Sequence, residues 1–148
     1  MSTFYTLDRA NTRLPEVRAI LEDLRARRLE LIGLRDRLHA VSRAEVPPGG
    51  RGSLVEDALA DADAGTAESP RVLAARIQAV IDQMQAAVER LDAWDVTLRD
   101  IETGLVDFPA IVNGRQVWLC WRLGEDDVAW WHELSTGLAG RRPLADLG

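Results

Sequence analysis

The stretch Asp107-Phe108-Pro109-Ala110-Ile111-Val112-Asn113-Gly114-Arg115-Gln116-Val117-Trp118-Leu119-Cys120-Trp121 decides how this chain folds. Asn-Gly between two apolar runs is a strong hairpin signal, because a type I′ turn needs positive φ at both central residues. A two-residue turn fixes the register. Val112 then faces Arg115, Pro109 faces Trp118, and Asp107 faces Cys120. Alternation places Asp107, Trp118, Cys120 and Arg122 on one face, with Val117, Leu119 and Trp121 on the other. Val128 to Glu133 reads as a further strand after the loop Leu123-Gly124-Glu125-Asp126-Asp127. On the other side, Val96 and Leu98 meet Leu105 to Ile111 through a turn at Glu102-Thr103-Gly104. The expectation is a four-stranded antiparallel meander over 96–134. An irregular tail over 135–148, punctuated by Gly137, Gly140 and Pro143, should follow.

Working outward, the period changes from two to that of a helix. Val17, Leu24, Leu31 and Leu38 recur at one heptad position, and Ile20, Leu34 and Val41 at the other. Arg27 interrupts the second series, while Leu21 and Leu29 widen the stripe. Thr6 is placed to cap a short first helix, with Asp8 against its positive end. Pro15 then suits the first turn of a long helix reaching about Ala44. Ser69-Pro70 opens a second long helix, with Ser as cap and Pro as first helical residue. Its seam is Leu73, Val80, Ala87 and Trp94, with Ile77, Met84 and Leu91. Between the helices, residues 45–69 begin with Pro47-Pro48-Gly49-Gly50 and are rich in Ala, Asp, Gly and Ser. They read as a mobile acidic connector. The fold class is therefore α+β: a long antiparallel helical hairpin, 6–94, packed on a small β-meander within a single domain, 1–148.

Composition narrows the function. The chain has 148 residues, a net charge of −6 and a pI near 4.9. Nucleic-acid binding and attraction to anionic membranes need clustered basic charge, so both are disfavoured. All 18 basic residues are arginine, which removes Schiff-base chemistry and a P-loop lysine. One cysteine allows neither an internal disulfide nor a two-thiolate site. No signal-peptide stretch or membrane span is readable, so a cytoplasmic location is expected.

Four motifs in the C-terminal third, GLVDFP (104–109), LCWRLGE (119–125), WHEL (131–134) and GLAGRRPL (137–144), carry a resemblance. So do Phe4-Tyr5-Thr6-Leu7, Ala10-Asn11 and Leu14-Pro15-Glu16-Val17 at the other end. Together they resemble an uncharacterised prokaryotic, including bacterial, family, domain of unknown function 2203. The resemblance implies a helical N-terminal half and a compact C-terminal segment. It implies no activity.

Chemistry, if any, concentrates in residues 118–132, which hold four of the five tryptophans, the only cysteine and one of two histidines. If the strand after the loop sets Trp130 beside Cys120, then His132 lies beside Trp118 on the Asp107 face. A slip by one residue puts Glu133 there instead. Asp107, Cys120 and His132 are all zinc-type ligands, so a divalent metal is the cofactor to consider. Trp118, Arg122, Trp130, Glu133 and Arg141 would line a site for a small anion or another ligand. The competing reading is structural: a buried cysteine is usually a small hydrophobe, and Asp107 would bond a turn or pair with Arg122. No GxGxxG, Walker, GxSxG or zincin motif is present. The reading that follows is a non-catalytic binding or assembly module. It is expected to form a homodimer through its helices, or to meet a protein partner. A small hydrolase or redox enzyme using Cys120, His132, Glu133 and Asp107 is the rival.

Overall fold

A computed structural model of the protein describes residues 4–44 and 69–147. The connector expected over 45–69 lies outside the described residues, apart from Ser69. Among the described residues, two α-helices and a five-stranded antiparallel sheet make the fold α+β. The helices are α1 (Leu7–Ala44) and α2 (Pro70–Ala93). The strands are β1 (Thr97–Asp100), β2 (Leu105–Val112), β3 (Arg115–Arg122), β4 (Trp130–His132) and β5 (Arg142–Pro143). They pair in sequence order, as a meander. Contacts divide the chain into two compact units, one of Met1–Ala26 with Gln85–Gly148, the other of Arg27–Met84.

Helix α1 corrects the sequence reading. Pro15 does not open a new helix; it lies inside a single one. The Thr6 hydroxyl does cap it, accepting the Arg9 N–H at 3.1 Å. Ala10, Leu14 and Val17 are all buried and continue one face across the proline. Burying that face offsets the hydrogen bond Pro15 removes, a loss of about 3 kcal/mol in an unsupported helix. Leu21 and Leu24 extend the stripe, whereas Leu29 is 67 % exposed and does not join it. In the unit Arg27–Met84, Leu34, Leu73 and Val80 form an apolar cluster with Leu31, Leu38, Val41, Ile77 and Met84 packed against it.

Helix α2 begins as expected. The Ser69 hydroxyl accepts the Val72 N–H at 3.2 Å, and Pro70 is the first helical residue. Its end is a Schellman motif. The Val96 N–H donates to the Leu91 carbonyl and the Asp95 N–H to the Asp92 carbonyl, at 3.0 and 2.9 Å. Leu91 and Val96, the apolar pair of that motif, are fully buried. Asp95 takes the left-handed position at φ 58°, where glycine is usual. An L side chain there costs roughly 1 kcal/mol.

The hairpin turn forms as read, with φ 53° at Asn113 and 77° at Gly114. Val106, Phe108, Ala110, Val117, Leu119, Trp121 and Trp131 give the sheet one fully apolar, buried face. Within the same unit, Tyr5 bridges to Ala110, donates its N–H to the Pro109 carbonyl, and sets its ring edge-on to Phe108. The Asn11 side-chain oxygen accepts the Val128 N–H at 2.8 Å. The strand count is five rather than four, because the tail expected to be irregular returns as β5 against β4. Two short 3-10 helices, Leu138–Gly140 and Leu144–Leu147, flank it. Pro143 is admissible in β5 because this is an edge strand, with one side of its backbone unpaired. No helix among the described residues is long and apolar enough to cross a membrane.

Candidate metal centre

Asp107 and Cys120 are cross-strand partners between β2 and β3, as the Asn113-Gly114 turn dictates. Strand β4 pairs Trp130 with Cys120 and His132 with Trp118. His132, not Glu133, therefore reaches the Asp107 face. Asp107, Cys120 and His132 are 2 %, 1 % and 3 % exposed. One ligand atom from each lies within 4.8 Å of the other two.

The hydrogen bonds assign roles to individual atoms. His132 Nδ1 lies 2.9 Å from the Glu133 backbone carbonyl. A carbonyl only accepts, so Nδ1 carries a proton. In the neutral ring, the Nε2 lone pair then faces Asp107 Oδ2 at 2.9 Å. Two acceptors at that distance need a proton shared between them or a cation nearby. The same Oδ2 accepts the Arg99 Nε–H at 2.7 Å. The second carboxylate oxygen, Oδ1, is buried and has no hydrogen-bond partner by geometry among the described residues. An unsatisfied buried carboxylate oxygen is costly and is a natural seat for a cation. Burial pushes the Cys120 thiol up to about 12; the Asp107 carboxylate adds to the rise, and Arg141 opposes it. The metal-free cysteine is thus a neutral thiol.

Arginine and tryptophan cover this face. The Arg99 guanidinium lies over the Trp118 ring at 4.9 Å, and Arg141 over Trp130 at 4.8 Å. Arg141 is also clamped by both oxygens of Glu125, at 2.7 and 2.8 Å. Glu125 further accepts the Arg122 backbone N–H at 2.8 Å.

A profile of an uncharacterized conserved protein family, DUF2203, matches residues 3–144. The chain belongs to that family. No curated protein and no solved structure matches it. The DUF2203 span takes in the three clustered side chains and the shell around them.

Within this DUF2203 chain, the sequence-predicted residues separate into two groups. Asp107, Cys120 and His132 come together, and their strand partners Trp118 and Trp130 flank them. Glu133 stands apart, paired with Arg115 at 2.7 Å. Arg141 is occupied by Glu125. Arg122 is not the partner of Asp107; Arg99 is. The sequence reading missed Arg99. It sits at a β-bulge, where the register of β1 against β2 skips between Leu98 and Asp100. A bulge re-aims one side chain, and here that side chain reaches Asp107. The only signal for it was the nearness of β1 to Asp107 through the Glu102-Thr103-Gly104 turn.

Proposed function

We propose that this chain is a binding module whose sheet holds one zinc-type divalent cation between Asp107, Cys120 and His132. The observation that carries the reading is the convergence of three buried ligand atoms, from Asp107, Cys120 and His132, within 4.8 Å of one another, with the imidazole anchored through its other nitrogen. A mixed N, S and O set selects zinc and similar ions over magnesium or calcium. The Glu133 carbonyl plays the usual outer role, holding the imidazole in the tautomer that leaves Nε2 available. Three protein ligands leave one position for water or an added donor. Binding must displace the Cys120 proton, so affinity rises with pH.

Metal titration tests this. At a free zinc concentration of 100 times Kd, stabilisation should be about 2.7 kcal/mol, or roughly 5–10 °C in Tm. Cobalt should bind with one-to-one stoichiometry and give a sulfur-to-metal absorption band, lost in Cys120→Ser. Protein that purifies metal-free and gains no Tm from zinc, manganese or cobalt would refute the reading.

The enzyme rival is weaker on two counts. A thiol raised to about 12 by burial is not a nucleophile near neutral pH. Glu133 is engaged by Arg115. A second reading, self-association in the cytoplasm as a homodimer, is favoured by a specific feature of α1. Leu29 is 67 % and Ile32 39 % exposed on a helix whose seam is already filled. A monomeric mass in light scattering at micromolar concentration would exclude it.

A further inference from the structure

The Asp107 carboxylate is engaged unequally. Its Oδ2 accepts the Arg99 Nε–H at 2.7 Å and lies 2.9 Å from His132 Nε2. Its Oδ1 has no hydrogen-bond partner by geometry among the described residues. The two contacts to Oδ2 differ in kind. The His132 contact ends when a metal binds, because Nε2 then gives its lone pair to the ion. The Arg99 contact does not compete, since a guanidinium has no lone pair to offer. Arg99 reaches Oδ2 from the rim of the cluster, its side chain 42 % exposed against 2 % for Asp107. The bulge in β1 and the Trp118 ring, 4.9 Å from the guanidinium carbon, hold it there.

We propose that Arg99 determines which metal the centre takes. By holding Oδ2 it makes Asp107 a one-oxygen ligand through Oδ1, and so favours a small four-coordinate ion such as zinc over a larger one such as cadmium. The inference rests on the metal reading of the Asp107, Cys120 and His132 cluster. A carboxylate with both oxygens free closes on an ion with both, and larger ions accept the extra ligand atom more readily. Zinc in a protein site is almost always satisfied by four. The thiolate and imidazole suit soft and borderline ions alike, so they separate zinc from cadmium poorly. A carboxylate and a thiolate neutralise a divalent ion, so the loaded cluster carries no net charge to expel the guanidinium. The Arg99 charge itself opposes every divalent ion alike and cancels from a ratio of affinities.

Zinc, cobalt and cadmium titrated into the full chain, Arg99→Ala and Arg99→Lys provide the test. With arginine in place, cobalt should show the intense visible bands of a four-coordinate ion. In Arg99→Ala those bands should weaken severalfold, the mark of a fifth ligand atom. The preference for zinc over cadmium should fall about tenfold, the lower end of the effect of losing a group that orients a ligand. Arg99→Lys keeps a charged N–H donor and should restore most of both. A loss of charge or of fold alone would weaken all three metals together, leaving the ratio and the cobalt spectrum as they were. Arg99→Leu keeps apolar contact with Trp118 without the donor, and should match Arg99→Ala even if the smaller side chain loosens β1. If the unaltered chain binds none of the three ions, this inference falls together with the metal reading. If it binds them, and neither Arg99→Ala nor Arg99→Leu changes the ratio or the cobalt spectrum, the role of Arg99 alone is overturned.

Discussion

At the scale of the residue, Cys120 ties the centre to pH. Its folded thiol is raised from an ordinary value of 9.0 to about 12, so the folded chain holds this proton more tightly than the unfolded one. Its contribution to stability is complete below pH 9 and drains away as pH climbs towards 12. Urea unfolding of metal-free protein should therefore lose up to about 1.4 kcal/mol per pH unit more than Cys120→Ala across that window. Burial raises Tyr5 as well, with the same sign, but Tyr5 is common to both proteins and cancels in the comparison. Identical slopes would show that the thiol is not shielded as described. Asp107→Ala removes the acceptor of both Arg99 and His132 and should cost about 3 kcal/mol. That is the lower end of the range for a broken buried pair, because the Arg99 side chain is 42 % exposed and screened by water. Chemical denaturation checks it, and a loss under 1 kcal/mol would mean the pair is neutral in the metal-free chain.

At the scale of the element, two glycines in turns separate backbone preference from crowding. Gly114, at φ 77°, has open space where a Cβ would go. Gly104, at φ 68°, would place its Cβ 2.5 Å from the Leu123 side chain. Gly114→Ala should cost about 1 kcal/mol, for conformation alone. Gly104→Ala should cost more, because the β1–β2 turn or Leu123 must also move. Equal losses by thermal denaturation would show that Leu123 yields freely. The same contrast explains what was legible in the sequence. The Asn113-Gly114 register could be read because a type I′ turn is local chemistry, and every pairing from Leu105–Arg122 to Val112–Arg115 follows from it. The Asp107, Cys120 and His132 triad followed from that register, given one choice of strand β4. The β-bulge at Arg99, the passage of α1 through Pro15 and the return of Arg142 and Pro143 as β5 depend on contacts distant in sequence. No window around those residues carries them.

At the scale of the whole molecule, the proposed centre lies entirely in the unit of Met1–Ala26 and Gln85–Gly148, and Leu34 in the other. Leu34→Ala should cost about 2–5 kcal/mol through the cavity it leaves. Calorimetry should show that loss while metal stoichiometry stays at one. A change in stoichiometry would mean that the unit Arg27–Met84 helps to assemble the centre. Every tryptophan in the chain lies under at least one arginine, in a sequence that holds no lysine. Trp130 and Trp118 are the strand partners of Cys120 and His132. An open-shell ion seated there would drain the excited state of those two indoles first, leaving Trp94 and the apolar-face pair, Trp121 and Trp131, to glow. Occupancy of the centre would thus be written in the protein's own emission, as a partial and saturable dimming that needs no attached dye.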